Sequence, residues 1–234
     1  MKRIGLVGGM TPESTLSYYR MIIECGRQRF DNPLRNPVVM IYSIDLAEIA
    51  AHQRVGESGR VVEILVDVLE CLRGAGAELG ALTANTPHAF FDDISQRTEL
   101  ELISIVETTV ARVVELGLKR VLLLGTETTM QAPMYPEACS GHDIEVVLPN
   151  EDERRFVNAS IYEELALGRV TPELREQHVS MCRRHIDRAG IDGIVLACTE
   201  IPMVLEPGML PVPLVDTARC HADAIFERAW DGPR

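Results

Sequence analysis

Short apolar runs alternate along the chain with longer stretches in which apolar residues recur every three or four positions. Runs such as Val121-Leu122-Leu123-Leu124 and Ile194-Val195-Leu196-Ala197 show no polar alternation, as expected of strands covered by helices on both faces. The alternation predicts βαβ units with parallel sheets. Seven strands are expected, at residues 3–7, 37–42, 79–83, 120–124, 145–148, 193–197 and 212–215. Helix starts are marked by Thr11-Pro12-Glu13 and Thr171-Pro172-Glu173, each a threonine cap, a proline at the first helical position and an acid. Asn150-Glu151-Asp152-Glu153 is a third capped, acid-led start. Gly76, Gly117 and Gly190 follow helical stretches and precede strands, where C-terminal caps belong.

The two halves of the chain repeat one plan. A strand ending at Gly8-Gly9 is followed by one ending in Thr83-Ala84-Asn85-Thr86, and a strand ending at Gly125-Thr126 by one ending in Ala197-Cys198-Thr199-Glu200. The spacing between the paired ends is nearly the same in both halves. The expected fold is therefore α/β, two pseudo-symmetric Rossmann-like halves with mainly parallel sheets and a site in the cleft between them. The division is drawn at residues 1–98 plus 215–234 for the first half and 99–214 for the second. A last helix, about 217–230, returns to the first half.

Composition narrows the function. A net charge of −12 with scattered basic residues argues against a nucleic-acid partner, which needs a concentrated positive surface. No apolar run approaches the roughly 20 residues that cross a bilayer, so no membrane partner is expected. The basic start Met1-Lys2-Arg3 leads into apolar residues that stop at a glycine pair, which reads as a first strand and not a secretory signal. A cytoplasmic location follows as the default. The six cysteines form no CxxC pair and the six histidines lack zinc-ligand spacing, so no metal is expected. Neither a GxGxxG nor a GxxxxGK[ST] pattern occurs, which removes the usual nucleotide cofactors.

Four strand ends concentrate small residues and hydroxyls ahead of expected helix starts: Gly8-Gly9-Met10-Thr11, Ala84-Asn85-Thr86, Gly125-Thr126-Glu127-Thr128-Thr129 and Cys198-Thr199-Glu200. Backbone amides at such places bind carboxylates, although the same residues also make ordinary turns and caps. Cys198 is the sharpest of them. It ends an apolar strand and is expected to face a helix N-terminus, a setting that lowers a thiol pKa and favours the reactive thiolate. The other five cysteines are expected to be inert core residues.

These motifs together resemble the aspartate/glutamate racemase family along the whole chain. Gly8-Gly9-Met10-Thr11-Pro12-Glu13-Ser14-Thr15 is similar to the family's GGMGPxAT, and Ala84-Asn85-Thr86-Pro87-His88 stands where the family has CNTxH. Cys198-Thr199-Glu200-Ile201-Pro202 matches the family's second cysteine motif, and Pro213-Leu214-Val215-Asp216-Thr217 its closing strand. Ser43-Ile44-Asp45-Leu46-Ala47-Glu48-Ile49 and residues 152–168 resemble the branch acting on L-aspartate and L-glutamate. The resemblance implies racemisation of a small acidic amino acid without a cofactor, and a homodimer. A planar carbanion loses a proton from one face and gains one on the other, so the family uses two opposed cysteines, one from each half. Asn85, Thr86, Thr126, Thr129 and Thr199, with backbone from Met10 and Thr11, would hold and stabilise carboxylates, and Gln53, His88 and Glu200 are further candidates.

One position departs from the pattern. Ala84 occupies the place of the first catalytic cysteine, and a methyl group moves no proton. Thr83 beside it points to the opposite face of its strand and is a poor base. Three explanations stand open: a substitution introduced into an otherwise active racemase, a one-thiol enzyme that decarboxylates or isomerises through Cys198, or a non-catalytic carboxylate-binding protein. Ala50 and Ala166 also stand where many aspartate racemases carry basic residues.

Overall fold

The computed structural model describes residues 1–232. The chain forms two α/β units, one of Met1–Ser104 together with the chain from His221 onward, the other of Ile105–Cys220. In the first, β1 (Ile4–Gly8), β2 (Val39–Ser43), β3 (Leu79–Leu82) and β4 (Glu101–Leu102) form a parallel sheet in the order β2-β1-β3-β4. In the second, β5 (Arg120–Gly125), β6 (Glu145–Val147), β7 (Gly193–Ala197) and β8 (Leu214–Asp216) form another, in the order β6-β5-β7-β8. The two orders are the same permutation, so the repeat read from strand ends is also a repeat of topology.

All seven expected strands are present within a residue or two at their ends. β4 was not expected: two residues cannot show a period. It pairs with β3 and keeps the chain past residue 98 with the first sheet, while β8 pairs with β7 and keeps residues 214–216 with the second. Both observed divisions therefore fall later than the ones drawn from sequence, and the second lies inside the last helix.

Parallel strands need crossovers, and helices supply them. The first unit has α1 (Pro12–Arg29), α2 (Leu46–Arg54), α3 (Ser58–Gly74) and the short α4 (Phe91–Ser95). The second has α5 (Ile105–Glu115), α6 (Glu127–Gln131), α7 (Met134–Ser140), α8 (Glu151–Glu163) and α9 (Pro172–Ala189), and α10 (Thr217–Ala229) carries the chain across the division. The caps are those read from sequence. Thr11 accepts from the Ser14 amide, Thr171 from the Leu174 amide, and Asn150 with Glu153 forms a reciprocal capping box. Gly76, Gly117 and Gly190 take positive φ after α3, α5 and α9.

Strand periodicity explains the uninterrupted apolar runs of the second unit. Leu122, Leu124, Ile194 and Leu196 face a core built with Val157 and Ile161 of α8 and Val179 and Met181 of α9. Their neighbours Val121, Leu123, Val195 and Ala197 face the opposite core, with Val110 and Val113 of α5 and Tyr135 and Cys139 of α7. Alternation then puts Cys198 on the α8–α9 side, where it joins that core. In the first unit Val7 and Leu82 pack on Val61, Leu65 and Leu69 of α3. No helix among the described residues is long and apolar enough to cross a membrane.

Candidate active site

In the first unit the loops after β1 and β3 leave adjacent strands, since Val7 is in register with Leu82. The β1 loop turns at Gly9, whose φ is +87° and where a Cβ would lie 2.3 Å from the Ile44 carbonyl oxygen, so only glycine fits. The Gly9 amide donates to Thr15 Oγ1 at 2.8 Å, and that hydroxyl donates to the Thr11 carbonyl at 3.0 Å. Thr11 Oγ1 accepts from the Ser14 amide at 3.1 Å, so its side chain serves as the α1 cap. Ser14 reaches across to the next loop, its hydroxyl donating to the Thr83 carbonyl at 2.7 Å. Thr83 in turn donates to the Val7 carbonyl at 3.0 Å, a structural bond that ties its hydroxyl to the fold.

The β3 loop carries Ala84, Asn85 and Thr86 and runs into a 3-10 turn, Thr86–Phe90. Ala84 and Thr86 are half-buried and Asn85 is buried. The Ala84 carbonyl accepts from His88 Nδ1 at 2.8 Å, which fixes the backbone at Ala84. Behind it, His88 stacks on Phe91 with centroids 5.2 Å apart and meets His221 edge-on at 5.7 Å. Tyr18 OH lies 2.9 Å from His221 Nδ1, and His221 Nε2 lies 2.9 Å from the Ile103 carbonyl. Burial pushes His88 down to about 4 and His221 down to about 3, so both rings are neutral at ordinary pH. His88 is thus a brace for the loop.

In the second unit the loops after β5 and β7 are again neighbours, with Gly125 in register with Ala197. A Cβ on Gly125 would come within 2.9 Å of the Ala197 carbonyl oxygen, so the absence of a side chain lets the strand ends close up. Thr126 caps α6, accepting from the Thr129 amide at 3.3 Å and donating to Thr129 Oγ1 at 3.0 Å. The Glu127 amide donates to Asn158 Oδ1 of α8 at 2.8 Å.

Cys198 opens the other loop, and its setting differs from the expectation. No α-helix begins there, only a three-residue 3-10 turn, Ile201–Met203. Glu200 folds back, its Oε2 accepting from Cys198 Sγ at 3.0 Å and from Thr199 Oγ1 at 2.7 Å. Burial first, and then the Glu200 carboxylate, push the Cys198 thiol well above its ordinary value, so it rests as a thiol and not as the expected thiolate. The loop after β3 likewise enters a 3-10 turn; of these four loops only those after β1 and β5 lead into α-helices.

Within the first unit the fold brings together Met10, Thr11, Ala84, Asn85 and Thr86, and within the second Thr126, Thr129, Cys198, Thr199 and Glu200. Gln53 joins neither group in the observed contacts; it is exposed in the last turn of α2, where its carbonyl accepts from Gly56. Cys71 is exposed and Cys220 half-buried, against the expectation of five core cysteines; Cys25, Cys139 and Cys182 are buried. Burial raises Cys139 to about 11 and Cys182 to about 12. Sequence reasoning missed Ser14, Thr15, Asn158 and Tyr162. Partial burial raises the Tyr162 phenol, and the neighbouring acidic groups of Cys198 and Glu200 add to it. Asn158 and Tyr162 are four apart on α8, a helix spacing that puts both on one face.

The profile of the Asp/Glu/hydantoin racemase family matches residues 7–225. The broad specificity amino-acid racemase RacX of Bacillus subtilis (strain 168) is 26% identical over 230 residues, covering 94% of each chain. The crystal structure of an aspartate racemase homologue from Pyrococcus horikoshii OT3 is 38% identical, with a TM-score of 0.87 over 98% of this chain and 99% of that one. The Picrophilus torridus aspartate racemase shares the fold at 22% identity, with a TM-score of 0.77 over 98% of this chain and 94% of its own.

Proposed function

The chain belongs to the Asp/Glu/hydantoin racemase family, and from that premise we propose that it moves the Cα proton of an acidic amino acid without a cofactor. The observation that carries the reading is the hydrogen-bonded group Cys198–Thr199–Glu200 beside the Thr126–Thr129 cap. It supplies a thiol, a carboxylate that can take the thiol's proton, and hydroxyls and amides suited to a carboxylate or the enolate formed from it.

Cys198 rests protonated, so it is ready to donate to a carbanion. To take a proton from Cα it must first pass its own to Glu200 across the 3.0 Å Sγ–Oε2 contact. Thr199 steadies the same carboxylate oxygen. In the family's pattern the opposite face is served from the position of Ala84, whose methyl group is neither an acid nor a base. Racemisation needs proton traffic on both faces, whereas exchange on one face needs only Cys198 with Glu200.

The test is solvent deuterium entry at Cα of L- and D-aspartate and L- and D-glutamate, read by mass spectrometry, with chiral chromatography for racemisation. The parent chain should bind these amino acids and exchange at most the enantiomer presenting Cα–H to Cys198. Ala84→Cys should raise racemisation by at least about 10²-fold, the lower end of what a positioned acid or base contributes. Cys198→Ala should abolish exchange in both backgrounds. A folded, substrate-binding Ala84→Cys variant that racemises nothing would defeat the reading in favour of a one-thiol enzyme or a binding protein.

A second reading concerns the substrate side chain. The segments 8–15, 84–88, 125–129 and 198–202 contain no Lys or Arg, so nothing in them pairs with a second carboxylate. That favours an uncharged amino acid. Alanine and glutamine in the same exchange assay separate the two: faster exchange than with aspartate or glutamate establishes the uncharged substrate.

A further inference from the structure

We propose that a cavity between α8 and α9 of the second unit is a binding site for a small organic cation, a primary ammonium group carried on an apolar body. The cavity measures about 460 Å³, within the range that takes a small molecule. Its walls are one face of each helix. Asp152 and Phe156 are four apart on α8, and Glu176, Ser180 and Arg184 follow at the same interval on α9. The lining shares no residue with the Thr126–Thr129 or Cys198–Glu200 groups.

Floor and rim differ in character. Met181 is buried and Phe156 half-buried, and both pack in the core beneath α8 and α9. The Phe156 ring is held against His178, with centroids 4.8 Å apart. The rim carries three carboxylates, Asp152, Glu153 and Glu176, and one cation, Arg184. Arg184 is engaged by Glu153, with Nη2 at 3.0 Å from Oε1, and His185 Nε2 lies 2.8 Å from the other oxygen. Asp152 is held only by the exposed Arg155, a contact that water largely screens. Glu176 makes no ion pair among the described residues. An anion would meet three carboxylates and an arginine already neutralised, in a chain of net charge −12. Among the described residues no three of His, Cys, Asp and Glu are placed to hold a metal ion. The complement of this lining is an ammonium group at Glu176 and Asp152 whose apolar part covers Met181 and Phe156, an aromatic ring that itself attracts cations.

The proposal does not depend on the reaction, and its test is independent of activity. The probe is phenethylamine, charged at neutral pH, titrated into the full chain by calorimetry, with backbone amide NMR shifts to locate it. Neutral phenylethanol and anionic phenylacetate present the same apolar body without the cation. Phenethylamine should bind one to one with a dissociation constant of about 1 mM or below, and the two controls at least about tenfold more weakly. Its shifts should centre on Phe156, Ser180 and Met181. Asp152→Asn combined with Glu176→Gln should weaken binding at least about fivefold, and Phe156→Ala at least about tenfold. If Phe156→Ala fails to fold by circular dichroism, the double variant, confined to exposed side chains, decides. A titration that never saturates overturns the proposal. So does equal affinity for either control, an unchanged double variant, or shifts centred on Cys198.

Discussion

Lowering the pH from 7.5 to 5.0 should remove about 4 kcal/mol of folding stability, and two buried histidines of the first unit set that figure. His88 and His221 are held neutral, with folded values of about 4 and about 3 against an ordinary 6.5. Burial is the main cause for both, and the neighbouring His88 charge is the second for His221. Because the folded values lie below the unfolded one, the unfolded chain takes up protons first as the pH falls. The stability is whole above about pH 6.5, declines below it, and levels off only near the folded values.

At pH 5.0 both folded rings are still neutral, so the loss depends almost wholly on the unfolded value. Each ring then costs about 1.5 pH units of proton uptake, or about 2 kcal/mol, and the pair about 4 kcal/mol. A shift of a few tenths in either folded value changes this little. His178, also lowered by its burial, adds in the same direction. Glu101, held low by its Lys2 hydrogen bond, releases its share only at lower pH and does not confuse the window. Against a total stability of about 5–15 kcal/mol the loss is large. Urea unfolding followed by circular dichroism at the two pH values measures it, and His221→Gln should remove close to half of the difference. Stabilities equal within about 1 kcal/mol would show that these rings are not kept neutral by the fold, and the account of His88 as a neutral brace for Ala84 would fail with them.

Two other outcomes are expected. Glu200→Gln removes the carboxylate that holds the Cys198 thiol up, so alkylation of Cys198 at pH 8, followed by peptide mass spectrometry, should quicken at least about tenfold while exposed Cys71 is unchanged; equal rates at Cys198 would contradict the assignment. Gly9→Ala and Gly56→Ala both place a side chain at positive φ, +87° and +76°, but only the first drives a Cβ into backbone, so denaturant unfolding should show it costing at least about 2 kcal/mol more; equal losses would mean that the β1 loop is not closed on Ile44.

What was legible in the sequence and what was not divides by the range of the forces involved. Thr11, Asn150 and Thr171 were readable as caps because a cap joins residues three apart, and the strands because burial on two faces leaves an apolar run. The pairing of the four loops followed from the repeat, and the shared strand order gives it a physical basis. The braces were not readable. Ser14 on Thr83 and Asn158 on Glu127 join residues far apart in the chain, and a serine or an asparagine in a helix announces no distant partner. Cys198 lies between the two kinds. Its place at a strand end was local and was read correctly, but its protonation state depends on how deeply the loop is buried and on which way Glu200 turns. Reading the following residues as a helix start led to the opposite charge state, because a helix dipole favours thiolate whereas burial beside a carboxylate favours thiol. A motif can therefore name the acid/base without naming the form in which it waits. On the proposed function, that form makes Cys198 a proton donor first, and makes its use as a base depend on Glu200.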